Sequence, residues 1–154
     1  MTLVIDIGEM REDEATPLYE MVERVTQRMV CADFEPEGHK EFFDAVSLML
    51  FERPENHQIL VARLGARPVG LMDVRDNYHI CLFFVDLDVQ GKGVGRALFE
   101  AAVRRCRGGD RPSLEVHSSL FAVPVYKAFG FETRSGVRLV NGIRFVEMVR
   151  PTPE

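Results

Sequence analysis

The 154-residue sequence lacks three features that would each indicate a different class of protein: a long apolar run, paired cysteines and an excess of positive charge. No apolar stretch approaches the roughly 20 residues that span a bilayer. The first ten residues do not have the basic start and apolar centre of a signal peptide. We therefore expect a cytoplasmic protein with no membrane partner.

Cysteine is scarce. The three cysteines, Cys31, Cys81 and Cys106, are an odd number and form no Cys-x-x-Cys pair. Disulfide frameworks use even sets of cysteines and zinc sites use closely spaced pairs, so neither is expected. The pattern favours a reducing compartment and predicts buried thiols and no bound metal.

The charge balance is acidic, with 24 acidic and 19 basic residues and a net charge of −5. Such a surface has no general attraction for nucleic acid, whereas a small cationic substrate would suit it. The chain is long enough for one domain to bury a core without disulfides or metal. We assign residues 1–150 to that domain and 151–154 to a tail.

Hydrophobic periodicity predicts alternating helices and strands in the order β-α-α-β-β-β-α-β-α-β-β. The pair Thr16–Pro17 is typical of a helix start, with threonine as the N-cap. Asn141–Gly142 is favoured in type I′ hairpin turns. Three successive strands are expected, over residues 58–64, 68–74 and 78–85.

A glycine-rich loop follows the third of these strands and precedes a helix predicted over residues 93–107. Alternate glycines let the backbone approach a ligand and orient successive amides in one direction. The helix N-terminus adds the positive end of its dipole, which favours a pyrophosphate. The loop consists of Gln90, Gly91, Lys92, Gly93, Val94, Gly95 and Arg96.

The spacing of this loop excludes two other phosphate-binding motifs. A Rossmann Gly-x-Gly-x-x-Gly motif that began at Gly91 would need glycine at Arg96. A P-loop would need serine or threonine at Gly93. The remaining alternative is a turn that only connects a strand to a helix, and the strand–loop–helix context favours binding over that alternative.

The segment 85–96 resembles the coenzyme A signature of the GNAT superfamily of N-acetyltransferases, Gln/Arg-x-x-Gly-x-Gly/Ala. The matching positions are Gln90, Gly93 and Gly95. The segment 118–131 resembles the second signature of the family, in which a tyrosine, here Tyr126, lies on the helix before a Gly-Phe pair. The order of elements over residues 3–149 also fits, so the resemblance covers nearly the whole chain.

The resemblance implies an acyl-CoA N-acyltransferase fold, an α/β fold with a mixed, mostly antiparallel central sheet flanked by helices. It implies an N-acetyltransferase that uses acetyl-CoA and no metal. The acetyl group would pass to a primary amine of a small molecule or a protein by direct attack in a ternary complex. The alternative is the same fold used as a coenzyme A-binding sensor or interaction module. The hairpin around Asn141–Gly142 is a candidate homodimer contact.

The resemblance also implies the positions that bind the coenzyme. The amides of residues 90–96 would hold the pyrophosphate, and the strand end at Phe84 and Val85 would splay from its neighbour and bind the pantetheine arm. An amide near Val85 would polarise the thioester carbonyl. Ser118 or Ser119 would either contact the coenzyme or cap the next helix.

Tyr126 is the candidate general acid, because a phenol held in place can protonate the departing thiolate. The alternative is a tyrosine at the edge of the core. His79 is the candidate general base, since strand alternation places it on the same face as Val85 and imidazole titrates near neutrality. A hydrogen-bonded core histidine is the alternative there, and Asp73, Glu115 or a water relay stay open as the base.

Two further segments bear on the substrates. His117 stands where many members of the family have asparagine, so a coenzyme-binding asparagine has no counterpart here. The segment with Asp33, Glu35 and Glu37 lies between the first two helices and lines the acceptor site in the family. These carboxylates either attract a cationic amine or form a solvated loop.

Overall fold

The computed structural model describes residues 3–106 and 113–151. Within those residues, seven strands form one sheet. In chain order they are β1 (Asp6–Glu9), β2 (His57–Leu64), β3 (Arg67–Arg75), β4 (His79–Val85), β5 (Ser113–Ser118), β6 (Glu132–Val140) and β7 (Ile143–Pro151). Their spatial order is β1-β2-β3-β4-β5-β7-β6. The β4–β5 pair is parallel and the other pairs are antiparallel, which confirms the predicted fold class.

Helices cover both faces of the sheet. They are α1 (Ala15–Val25), α2 (Pro36–Ser47), α3 (Val94–Cys106) and α4 (Val123–Ala128). Apolar residues of α1 and α2 pack on one face, and those of α3 pack on the other. Both α1 and α2 continue into a wider, π-helical turn, over residues 26–30 and 48–52.

The predicted start of α1 was two residues too late, because the helix begins at Ala15. A short 3₁₀ turn at Glu12–Glu14 leads directly into the helix, so Thr16 lies inside α1 and does not cap it. The buried carboxylate of Glu14 instead accepts hydrogen bonds of 2.6 and 2.7 Å from the Arg63 guanidinium. This contact ties the start of α1 to β2.

The cysteines differ from the expectation of buried thiols. Cys31 is exposed, and Cys81 is half-buried in β4. Burial raises the pKa of Cys81 to about 12, so its thiol stays protonated. The side chain of Cys106 lies outside the described part of the chain.

The turn between β6 and β7 has the predicted left-handed backbone, with φ of 51° at Asn141 and 79° at Gly142. Strand β7 extends to Pro151, which pairs with Ser113, so Pro151 belongs to the sheet. Residues 152–154 of the expected tail lie outside the described residues.

In the described ranges, no helix is long and apolar enough to cross a bilayer, and no cluster of three or more His, Cys, Asp or Glu side chains is arranged to hold a metal ion.

The parallel contact between β4 and β5 is very short. The paired residues are His79 with Glu115 and Ile80 with Val116, after which the two strands part. The neighbouring β3–β4 ladder changes register near Asp73, and this bulge leaves Cys81 as an extra residue on β4. The site develops in the gap that opens beyond this point.

Candidate functional site

A cavity of about 1130 Å³ occupies the gap between β4 and β5 and reaches both faces of the sheet. On the α3 face, its loop half is lined by Phe83, Val85, Gly91, Gly93, Tyr126 and Phe129. On the face of α1 and α2, its hairpin half is lined by Phe34, Phe42, Phe84, His117, Phe145 and Glu147. The two halves meet at the end of β4.

The glycine loop has the conformation that a phosphate cradle needs. Gly91 and Gly93 have φ of 74° and 88°, backbone angles that residues other than glycine adopt only at a cost in conformational energy. No heavy atom lies within 4 Å of where a Cβ would stand at either residue, so the space above the loop is open. Gly93 accepts the first helical bond of α3, from the Ala97 amide at 3.0 Å. The amides just after Gly93 therefore have no carbonyl within the helix and are available to an anion.

Gln90 connects the loop to the end of β4. Its Nε2 donates a 2.9 Å hydrogen bond to the Val85 carbonyl and lies 3.4 Å from the Met29 sulfur. The side chain of Gln90 thus fixes the loop against the strand that borders the gap.

The backbone of Val85 faces the gap. The Asp86 amide donates to the Val69 carbonyl of β3 at 2.8 Å, and Val85 is opposite Gly70 in the ladder. Because an antiparallel ladder alternates its bonds, the amide and carbonyl of Val85 point away from β3. The Val85 carbonyl accepts the hydrogen bond from Gln90, and the Val85 amide is directed into the cavity.

Tyr126 lies on α4 at the loop half of the cavity. Its ring packs against Phe83 and Phe131 with centroid distances of 5.9 and 5.2 Å. The residue is 4% exposed, and burial raises the pKa of its phenol. The phenol is therefore neutral and keeps its proton near neutral pH.

Three of the predicted coenzyme-binding residues have side chains that do not line the cavity, although the prediction for Lys92 and Val94 concerned their backbone amides. Lys92 is exposed, Val94 lies in the core under the loop, and the buried hydroxyl of Ser118 donates to the Ser119 carbonyl at 2.7 Å. Ser119 does line the cavity, and its hydroxyl accepts a 3.2 Å bond from the Ala122 amide before α4. The other predicted side chains that line it are those of Phe84, Val85, Gln90 and Arg96, together with the backbone at Gly91, Gly93 and Gly95.

His79 is not on the face that strand alternation predicted. The extra residue at Cys81 reverses the alternation, so His79 lies on the α1 face while Val85 faces α3. Its Nδ1 bonds to Glu115 Oε1 at 2.7 Å, and burial lowers the pKa of the imidazole. His79 does not line the cavity, and its geometry is that of the hydrogen-bonded core histidine.

The alternative bases do not line the cavity either. Asp73 is fully buried, and both of its carboxylate oxygens lie 2.9 Å from His57 Nδ1. Burial raises the pKa of Asp73. Glu115 is occupied by the contact with His79. A base at the reaction centre must therefore come from elsewhere.

Sequence reasoning missed His117, which is exposed and lines the cavity. Its ring stacks on Phe145 at 4.5 Å and meets the ring of His79 edge-on at 4.9 Å. Across the strand pair it is opposite Glu147. In the part of the chain that the structure describes, neither ring nitrogen of His117 has a hydrogen-bond partner. The available signal was the histidine in place of the family's asparagine.

The acidic segment before α2 is not a solvated loop throughout. Asp33 is 6% exposed and accepts a 3.0 Å bond from the Leu120 amide, and burial raises its pKa. Glu35 pairs with Arg144 of β7 at 3.1 Å. Glu37 is exposed. Two of the three carboxylates thus hold the hairpin and the loop before α4 in place.

Comparison with known proteins decides the family. The sequence model of the acetyltransferase (GNAT) domain matches residues 30–151 of the chain. The chain belongs to the GNAT acetyltransferase family. The general chemistry of this GNAT domain is therefore acetyl transfer, as the resemblance implied. A search of curated proteins finds no match.

Solved structures have the same fold over almost the whole length of this GNAT domain. A GCN5-related N-acetyltransferase from Rhodopseudomonas palustris is 20% identical with a TM-score of 0.76, and the alignment covers 98% of each chain. YjaB from Escherichia coli, solved in its apo form, is 27% identical with a TM-score of 0.74 and coverage of 96% and 97%.

A third structure was solved with coenzyme A. It is the PaiA N-acetyltransferase from Thermoplasma acidophilum, 12% identical with a TM-score of 0.73 and coverage of 97% and 99%. At this identity the likeness shows the fold, and the geometry of the loop described above supports use of a coenzyme A ligand by this GNAT domain.

Proposed function

We propose that this GNAT domain transfers an acetyl group from acetyl-CoA to a primary amine by direct attack in a ternary complex. The observation that carries the proposal is the gap beyond His79 and Ile80, where the glycine loop, the free amide of Val85 and a neutral phenol meet one cavity. The coenzyme occupies the loop half and the amine occupies the hairpin half.

The chain's contribution to coenzyme binding is made largely by backbone groups. The amides after Gly93 and the positive end of the α3 dipole stabilise the pyrophosphate. The unpaired edge of β4 offers hydrogen bonds to the amides of the pantetheine arm, as a neighbouring strand would. Lys92 is exposed beside the loop and adds a screened attraction for phosphate.

The Val85 amide stabilises the oxyanion. As the amine adds to the thioester, negative charge develops on the carbonyl oxygen, and a fixed donor in a water-poor site stabilises that charge. Gln90 contributes indirectly, because its bond to the Val85 carbonyl fixes the orientation of this part of the strand.

His117 replaces His79 as the general base in this proposal. The amine arrives as an ammonium ion and must lose a proton before its lone pair can attack. His117 lines the hairpin half, has free ring nitrogens and is exposed, so it can pass the proton on to solvent. Its stacking on Phe145 holds the ring in one orientation.

Tyr126 is the general acid on the opposite side of the reacting carbonyl. The carbon–nitrogen bond forms as the carbon–sulfur bond breaks, and the thiolate takes the phenolic proton of Tyr126. The attacking nitrogen is positively charged after the bond forms and must lose one proton to become a neutral amide. The phenolate of Tyr126 takes that proton and becomes a phenol again. The net reaction releases one proton, through His117.

A thermal-shift titration with acetyl-CoA, coenzyme A and ADP tests the binding part of the proposal. A ligand specific for the native state adds about 2.7 kcal/mol of stability at a hundredfold excess over its dissociation constant. We expect a shift with both coenzyme A forms and little with ADP. No shift with any of the three would show that the glycine loop is only a connection.

Release of the coenzyme A thiol in the presence of amines tests the catalytic part. Turnover that depends on the amine supports the transferase. Binding of acetyl-CoA without turnover by any amine would favour the alternative, a coenzyme A-binding sensor.

A further inference from the structure

The hairpin half of the cavity has aromatic walls. Phe34 lies 5.0 Å from Phe42 and Phe42 lies 6.1 Å from Phe84, measured between ring centroids. The stacked pair of His117 and Phe145 borders the same space. Faces and edges of aromatic rings at these separations match another planar apolar group much better than a flexible polar chain.

The charges of this half do not suit a polycation. Among the described residues, the carboxylates that line the cavity are Glu41 and Glu147, and Glu147 is 3.3 Å from Arg138. Arg138, Arg144 and Arg75 line it as well. Each of these three arginines already forms an ion pair with a carboxylate. Among the described residues that line the cavity, Glu41 is thus the only carboxylate without an ion pair, and a second ammonium group on the acceptor would be buried without a partner, which is costly.

The far end of the hairpin half is closed by the backbone. The Glu35 amide donates to the Gly142 carbonyl at 2.8 Å, and Phe34 forms a β-bridge with Ile143. Gly38 of α2 approaches the Gly142 backbone so closely that a Cβ at Gly38 would overlap it. We call this set of contacts the hairpin clamp. An extended peptide needs an open groove, and the hairpin clamp blocks one end of this one.

From these three observations we infer that the acceptor is a small monoamine that carries an aromatic group, of the size of 2-phenylethylamine. The inference rests on the proposed function and specifies its acceptor. The amine reaches the gap beside His117, and its ring lies among Phe34, Phe42 and Phe84. The reacting nitrogen does not need a carboxylate beside it to balance a positive charge, because the amine must be neutral when it attacks.

The test is acetylation by the full chain of 2-phenylethylamine, spermidine and an N-terminally blocked lysine peptide, each followed by coenzyme A release. We expect kcat/KM for 2-phenylethylamine to exceed those for the other two by at least about tenfold, the scale on which an apolar pocket discriminates. A higher kcat/KM for spermidine or the peptide would overturn the inference and leave the transferase proposal standing.

A substitution in the aromatic wall adds a second measurement. Phe42→Leu should raise KM for 2-phenylethylamine about tenfold and leave the affinity for coenzyme A unchanged. Phe51→Leu is the matched control, since Phe51 is half-exposed and lies outside the cavity. Equal effects of the two substitutions would contradict the assignment of the ring to this wall.

Binding of the product separates the two proposals. N-acetyl-2-phenylethylamine should stabilise the coenzyme A-loaded protein in a thermal-shift assay, and Phe42→Leu should weaken this effect. If the product binds in this way but no amine is acetylated, the transferase proposal fails and the aromatic site stands. If neither the product nor the amine binds, the aromatic site fails.

Discussion

The two halves of the cavity are built in different ways. The loop half is built mainly from one continuous segment, from the end of β4 through the glycine loop, to which α4 adds Tyr126, and it offers mainly backbone amides. The hairpin half uses side chains from separate segments: the loop before α2, α2 itself, the end of β5 and the β6–β7 hairpin. A ligand shared by a family can be held by a conserved backbone shape, whereas side chains from separate segments can change independently and suit different acceptors.

The largest effect should come from the general acid in the loop half. Tyr126→Phe keeps the ring that packs against Phe83 and Phe131 and removes only the hydroxyl. We expect kcat to fall by about 10² to 10⁴, the usual contribution of acid–base catalysis, with the acetyl-CoA dissociation constant unchanged. Steady-state kinetics and calorimetric binding measure the two quantities. An unchanged kcat would remove Tyr126 from the mechanism.

The second effect compares two neighbouring histidines. His117→Asn should lower kcat/KM about a hundredfold, while the matched His79→Asn should change it by less than about threefold. The opposite order of effects would restore His79 as the base.

A third prediction addresses the backbone of the glycine loop. Gly93→Ala places a side chain at a φ of 88°, a conformation that costs roughly 1–2 kcal/mol in an L-residue. We expect the free loop of the variant to relax out of this conformation, so that restoring it costs this energy on binding. Coenzyme A should then bind about tenfold more weakly, and the amine KM should be unaffected at saturating coenzyme. Gly136→Ala is the control, because Gly136 lies on β6 with no heavy atom within 4 Å of an added Cβ. Equal affinities of the two variants would show that the loop does not hold the phosphates.

The smallest effect should come from the hairpin clamp. Gly38→Ala forces the Gly142 turn away from α2 without straining the helix itself. A loss of about 1 kcal/mol in acceptor binding corresponds to about a fivefold rise in the KM of the aromatic amine. Coenzyme A affinity should stay constant. If coenzyme affinity falls by the same factor, the two halves of the cavity are not independent.

Much of the loop half could be predicted from sequence, because its signals are local. The spacing of Gln90, Gly93 and Gly95, a strand before them and a helix after them all lie within one short segment. The mixed, mostly antiparallel sheet was implied by the family resemblance that this segment carries.

The hairpin half could not be predicted in this way, because its geometry depends on contacts distant in sequence. The bulge at Cys81 arises from the pairing of β4 with β3, and it moved His79 to the other face of the sheet. The stacking of His117 on Phe145 requires the β5–β7 register. Neither alternative for Asp33, an amine contact or a solvated loop, included the hydrogen bond from the Leu120 amide that holds its carboxylate in the interior.

The most direct test of transfer across the gap is initial-rate kinetics with acetyl-CoA and 2-phenylethylamine both varied. Attack in a ternary complex requires both halves of the cavity to be filled together, so double-reciprocal plots should intersect. Parallel lines would indicate that coenzyme A leaves before the amine binds, with the acetyl group held covalently by the protein in between. That result would contradict direct transfer from the loop half to the hairpin half.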